Sequence, residues 1–144
     1  QLVGIFDHDQ DKLHTIQEKW KGIPIYNDLE TLLSENRIDL VSICTPTDIH
    51  LSNFIDIVNS GIKKIWLEKP SSYQTSSIKK MIELEKQNEL EVFVNYFRRY
   101  DAGFIKLREQ MNLVGKISHV TGFYTKGIQG CVAIPQLLFR FLAI

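Results

Sequence analysis

Two short stretches concentrate the side chains able to do chemistry: Thr45-Pro46-Thr47-Asp48-Ile49-His50 and Leu67-Glu68-Lys69-Pro70. Each follows a short apolar run, Leu40 to Cys44 and Ile65-Trp66-Leu67, that reads as a buried strand. An open α/β sheet presents reactive groups in this way, in polar turns at the carboxyl ends of its strands. Lys69 could donate to a substrate hydroxyl, or to a carbonyl oxygen on which negative charge develops. Glu68 could pair with Lys69 or face the ligand. Burying an unpaired charge is costly, so two charges ending a buried strand need a reason; the competing reading is a solvated loop after an edge strand. Pro46 fixes its own φ and biases Thr45 away from helix, which shapes a strand-to-helix turn. A plain loop competes there too. His50 falls in the first turn of the next helix, where a solvated ring is the ordinary expectation.

Two further places offer chemistry. Asp7 ends the apolar run Leu2-Val3-Gly4-Ile5-Phe6. In nucleotide-binding α/β folds a carboxylate there accepts hydrogen bonds from the adenosine ribose hydroxyls. Its charge favours NAD over NADP, whose 2′-phosphate it would repel. The competing role is a helix N-cap, which Asp9 could also fill. Tyr96, Arg98, Arg99 and Tyr100 cluster just past the last apolar strand. The two arginines could bind an anionic substrate group or bridge domains as salt bridges.

The elements that must position these residues alternate. After the strand ending at Phe6 comes a helix with Leu13, Ile16 and Trp20 on one face. A short strand at Ile23 to Tyr26 follows, then a helix that Asp28 caps and that carries Leu29, Leu32 and Leu33. Leu51, Phe54, Ile55 and Val58 give the clearest helical period, and Gly61 stands where a C′ glycine belongs. A helix over about Thr75 to Asn88 buries Ile78, Met81 and Ile82. Glu91 to Tyr96 is the next strand. A helix runs from about Asp101 to Met111, with Phe104, Ile105 and Leu107 inward. Lys116 to Thr125 alternates as a one-sided antiparallel strand. Apolar strands alternating with helices predict a parallel sheet covered on both faces. A domain junction falls near Tyr96 to Tyr100.

Composition narrows the function. The chain has 144 residues, enough for one domain or one domain and part of another. Its formal net charge is zero and no charge block stands out, which argues against a nucleic-acid or membrane partner. Cys44 and Cys131 are too few and too far apart for a zinc motif or disulfide framework, so a reducing, cytoplasmic location is expected and no metal. No apolar run is long enough to span a bilayer.

Taken together, these segments resemble the Gfo/Idh/MocA family of NAD(P)-dependent oxidoreductases, from about Leu2 to about Gln129. The strongest pieces are Thr45-Pro46 with His50 and Glu68-Lys69-Pro70, at the family's separation. Val94-Asn95-Tyr96-Phe97-Arg98-Arg99-Tyr100 resembles the lead into its second domain. Tyr124-Thr125-Lys126-Gly127 resembles a subgroup linked to surface-polysaccharide sugars. The resemblance implies a Rossmann domain followed by a second α/β domain, and hydride transfer between a sugar or cyclitol carbon and the nicotinamide. By it, Asp7 contacts the adenosine ribose, Thr45, Pro46 and His50 line the dinucleotide cleft, Glu68 lies by the nicotinamide, and Lys69 contacts the reacting hydroxyl. It also implies a small-molecule sugar or nucleotide-sugar substrate and is compatible with a homo-oligomer.

Two departures bear on activity. The family's first strand and Gly-rich loop should precede Gln1, and the chain contains no Gly-x-Gly. That strand belongs mid-sheet, between those at Leu2–Phe6 and Leu40–Cys44, so its absence exposes two strand edges. Where the family has a helix carrying a His general base, this chain has Gly130-Cys131-Val132-Ala133-Ile134-Pro135 and an apolar tail, as a frameshift near Gly130 would leave. The expected architecture is therefore α/β: an incomplete doubly wound parallel sheet over residues 1–97, the start of a substrate domain over 98–130, and a divergent tail over 131–144. The expected function is an oxidoreductase fragment that does not turn over by itself. A non-catalytic α/β interaction module is the alternative.

Overall fold

The computed structural model describes residues 1–122 and 139–142. The chain divides into two compact units, Gln1–Tyr96 and Phe97–Ile144.

In the first unit strands and helices alternate: β1 (Ile5–Phe6), α1 (Gln10–Lys19), β2 (Ile25–Tyr26), α2 (Leu29–Glu35), β3 (Val41–Ile43), α3 (His50–Asn59), β4 (Lys64–Leu67), α4 (Thr75–Asn88) and β5 (Glu91–Val94). Every strand pairing in the unit is parallel. β1 pairs only with β2, while β3, β4 and β5 form a separate sheet in that order. The ladder is thus interrupted between β1 and β3, where the sequence reading placed the absent strand. With one partner instead of two, the run Leu2–Phe6 keeps strand geometry only at Ile5–Phe6.

The core lies on one face of the three-stranded sheet. Ile43, Ile65 and Leu67 meet Phe54 and Ile57 of α3 and Met81 of α4, with Val92 and Val94 packed alongside. Phe54 is fully buried. The opposite face carries an exposed Lys64–Glu91 ion pair (3.3 Å) and then the Trp66–Phe93 ring pair, with centroids 4.4 Å apart. Trp66 keeps 36% of its surface in solvent, so β4 is buried on one face rather than on both as expected.

Local signals explain the helices. Asp9 caps α1 by accepting from the Asp11 and Lys12 N–H groups, and Asp28 caps α2 by accepting from Thr31 at 2.7 Å. Gly61 takes the positive φ (+84°) that ends α3's C-terminal turn. The apolar stripes are narrower than predicted: Leu13 is buried but Trp20 is exposed, and Met81 is buried while Ile78 and Ile82 face outward. These helices cover strands on one side only, so residues flanking the stripe stay wet.

In the second unit, a 3₁₀ turn over Phe97–Tyr100 leads to α5 (Ala102–Gln110), capped by Asp101. Phe104 and Leu107, expected inward, are exposed. β6 (His119–Gly122) pairs antiparallel with β7 (Phe139–Leu142), His119 opposite Leu142. The antiparallel pairing matches the alternation read over 116–125, and part of the apolar tail supplies the partner strand. Tyr124 to Gly130 and Cys131 lie outside the described residues.

Candidate functional site

The two sequence motifs meet at the carboxyl ends of β3 and β4. After β3, Pro46 holds an extended backbone (φ −56°, ψ 145°) and its carbonyl accepts from the Ile49 N–H at 3.1 Å. One 3₁₀ turn, Thr47–Ile49, then leads into α3, whose first residue is His50. This turn swings the His50 ring inward. Only 1% of it is exposed, which corrects the expectation of a solvated histidine. Burying an imidazole requires polar partners. His50 Nε2 lies 2.8 Å from the Thr45 carbonyl and Nδ1 lies 3.2 Å from the Ser71 carbonyl. The Asn53 amide, one turn along α3, donates to Thr45 Oγ1 at 3.0 Å.

After β4, the Glu68 N–H donates to the Ile43 carbonyl at 2.9 Å, extending the ladder one residue beyond the strand. Its half-buried carboxylate accepts from the Asn95 amide and, at 3.3 Å, from the Lys69 N–H. Each of its two oxygens thus accepts one N–H. The Glu68–Lys69 ion pair considered from sequence does not form. Ion pairs among the described residues include Lys12–Asp9, Lys64–Glu91 and Lys80–Glu83. Successive side chains in extended backbone leave on opposite sides. Lys69 is exposed, and the Lys69–Pro70 peptide is cis.

Asp7 is half-buried at the end of β1, and its Oδ1 accepts from the Asp9 N–H at 2.9 Å. The cap of α1 falls to Asp9, so Asp7 is not that cap. The Asp9 carboxyl titrates below its ordinary 3.8, chiefly because the Lys12 N–H donates to it; Asp28 does likewise, through the Thr31 hydroxyl first. Arg98 and Arg99 are exposed in the second unit, with the Arg98 guanidinium 5.7 Å from the Phe97 ring centre.

The structure therefore gathers Thr45, Pro46, His50, Glu68 and Lys69, and adds three residues that sequence reading passed over: Asn53, Ser71 and Asn95. Asn95 was discoverable. It follows β5 directly, and the register pairing Leu67 with Val94 sets it beside Glu68. Asn53 and Ser71 gave no signal, because their roles depend on a neighbouring turn. A cavity of about 620 Å³ beside α2 and the end of α3, lined by Asp28, Glu30, Leu33, Asp56 and Asn59, stands apart from this cluster.

Parallel strands joined through helices, with polar groups in the turns at their carboxyl ends, define an open-sheet α/β protein whose ligand site belongs at those ends. The chain belongs to the oxidoreductase family with an NAD-binding Rossmann fold, GFO_IDH_MocA, whose family model matches residues 1–96. It is 31% identical over 108 residues to a myo-inositol 2-dehydrogenase of Thermotoga maritima, a match covering 75% of this chain and 32% of that protein. It is 25% identical over 118 residues to oxidoreductase P35 of Formosa agariphila, covering 81% and 36%. Among solved structures, a probable dehydrogenase from Thermotoga maritima has a TM-score of 0.72 at 27% identity, covering 83% of this chain and 36% of that one. The WlbA dehydrogenase from Bordetella pertussis, in complex with NADH and UDP-GlcNAcA, shares the fold with a TM-score of 0.72 at 20% identity, covering 78% and 32%. The chain thus spans about a third of the length of these relatives. Among the described residues, no helix is long and apolar enough to cross a membrane, and no cluster of residues could hold a metal ion.

Proposed function

We propose that this chain carries the nicotinamide side of an NAD(P)-dependent oxidoreductase site whose substrate is a sugar or cyclitol hydroxyl, or the corresponding carbonyl. One observation carries the reading: an exposed Lys69, without an ion pair among the described residues, beside a Glu68 carboxyl held by Asn95 at the carboxyl end of β4. A lysine so placed is available to a ligand rather than used by the fold. The family match and the inositol dehydrogenase among the relatives support the substrate class.

The residues present fit part of a dinucleotide. Thr45 and Pro46 would line the cleft beside the nicotinamide, and Glu68 would stand next to it. Asp7 would accept from the adenosine ribose hydroxyls, which favours NAD over NADP. His50, being buried, would hold the cleft from behind rather than touch the cofactor. When bound, the nicotinamide supplies the hydride acceptor or donor. Lys69 would donate to the substrate oxygen and stabilise charge developing there. Arg98 and Arg99 would take an anionic group of a nucleotide sugar. No Gly-rich loop is encoded in the chain to hold the pyrophosphate, so binding by the chain alone would be weak and turnover absent.

Saturation-transfer NMR with NAD tests the reading. Transfer to the nicotinamide protons is expected in the wild-type chain and should persist in Lys69→Met, because Lys69 meets the substrate oxygen and not the cofactor. No transfer to those protons would defeat the assignment. Low-micromolar NADH affinity in a fluorescence titration would defeat the claim of weak binding.

A further inference from the structure

The geometry points to His50 as a positioning residue that joins the two turns of the candidate site into one unit. Its imidazole is 1% exposed and lies between two backbone carbonyls from different turns, Thr45 O at 2.8 Å and Ser71 O at 3.2 Å. Thr45 stands in the turn after β3, and Ser71 follows Lys69-Pro70 in the turn after β4. Both carbonyls lie beyond the last ladder residues, Ile43 and Leu67, so the sheet itself does not fix them. The two nitrogens aim at different turns; a neutral imidazole carries one N–H and donates to one of these carbonyls while packing against the other, and only a ring bearing hydrogen on both nitrogens donates to both.

This assignment rests on the proposed function for its meaning: through His50, the turn lining the cofactor cleft sets the position of the lysine that meets the substrate. The geometry itself is independent of any ligand. Both ring nitrogens of His50 are taken up by backbone carbonyls, so in this assignment it acts through the two backbones.

Residue-resolved hydrogen exchange on the full chain tests it. The Ile49 N–H, bonded to the Pro46 carbonyl at 3.1 Å, reports on the first turn. The Gln74 N–H, bonded to Ser72 Oγ at 3.1 Å, reports on the second. The Glu91 and Asn95 N–H groups, bonded to the Lys63 and Leu67 carbonyls at 2.8 Å, report on the sheet. In His50→Phe, which keeps bulk and removes both ring nitrogens, the turn that receives the N–H, reported by Ile49 or by Gln74, should exchange about five- to tenfold faster, the factor for losing one hydrogen bond, with Glu91 and Asn95 unchanged. His50→Gln places an amide nitrogen near the position of Nε2 and should restore Ile49 alone. His50→Asn places one near Nδ1 and should restore Gln74 alone. Wild-type rates at both turns in His50→Phe, or equal acceleration of the sheet amides, would overturn the assignment. If His50→Phe does not fold, the Gln and Asn variants decide by themselves, and identical behaviour at both turns in the two variants overturns it. Failure of the functional reading shows separately, as absent saturation transfer to the nicotinamide.

Discussion

The Asn95 amide donates to the Glu68 carboxylate across the carboxyl ends of β5 and β4. It is the third in a series of cross-strand pairs on one sheet face, after Lys64–Glu91 and Trp66–Phe93. The series ends by holding the Glu68 carboxyl in place, with no ion pair to the adjacent Lys69.

That relationship makes a measurable coupling. Asn95→Ala should destabilise the first unit by about 1.5–3 kcal/mol, because it removes a hydrogen bond to a charged, half-buried group. A double-mutant cycle with Glu68→Ala should give an interaction energy of about 0.5–3 kcal/mol from urea unfolding. Additive effects would mean the pair contributes nothing beyond its separate residues.

Lys69 should behave oppositely. Its side chain is exposed and holds no ion pair among the described residues, so Lys69→Met should change unfolding free energy by less than about 0.5 kcal/mol. An unchanged unfolding midpoint separates a ligand-directed residue from a structural one.

Phe54 anchors the core of the parallel sheet and is fully buried. Phe54→Ala should cost about 3–5 kcal/mol. That is a large share of the roughly 5–15 kcal/mol typical of a whole domain. The loss should appear as a lower urea midpoint or as a chain that no longer unfolds cooperatively.

The helix caps predict an acid dependence with a definite sign. Asp9 and Asp28 both titrate below the ordinary 3.8 in the folded chain. A carboxylate with a lowered folded value contributes stability that is complete above the unfolded value and lost as pH falls through the folded one. The midpoint difference between wild type and Asp28→Ala should therefore be full near neutral pH and shrink below 3.8. Urea unfolding repeated across pH measures it; a difference that grows on acidification contradicts the cap.

Glu89 closes α4 in the left-handed region (φ 52°), where glycine avoids a Cβ penalty. Glu89→Gly should stabilise the chain by about 0.5–1 kcal/mol, the left-handed penalty less the added entropy of glycine. Thermal unfolding would show the gain.

By themselves, the residues specified the order of strands and helices, the cap at Asp28, the C′ glycine at Gly61 and the two polar turns, and left the cap of α1 open between Asp7 and Asp9. Each of these is local: a cap needs its next two or three N–H groups, and a strand of Val and Ile needs only a face to bury. The break in the sheet was legible only through the family resemblance, which implies a further strand between Leu2–Phe6 and Leu40–Cys44; alternation alone does not fix strand order. Only tertiary structure decided what the polar residues face. His50 reads as an exposed helix-start residue until the turn at Ser71 packs on it, and Glu68 reads as a partner for Lys69 until β5 brings Asn95 alongside. Trp66 and Phe93 likewise look like core residues, yet they share the sheet face opposite the packed helices. Burial and hydrogen-bond partners arise from segments distant in the chain, and no periodicity within one segment encodes which neighbour arrives.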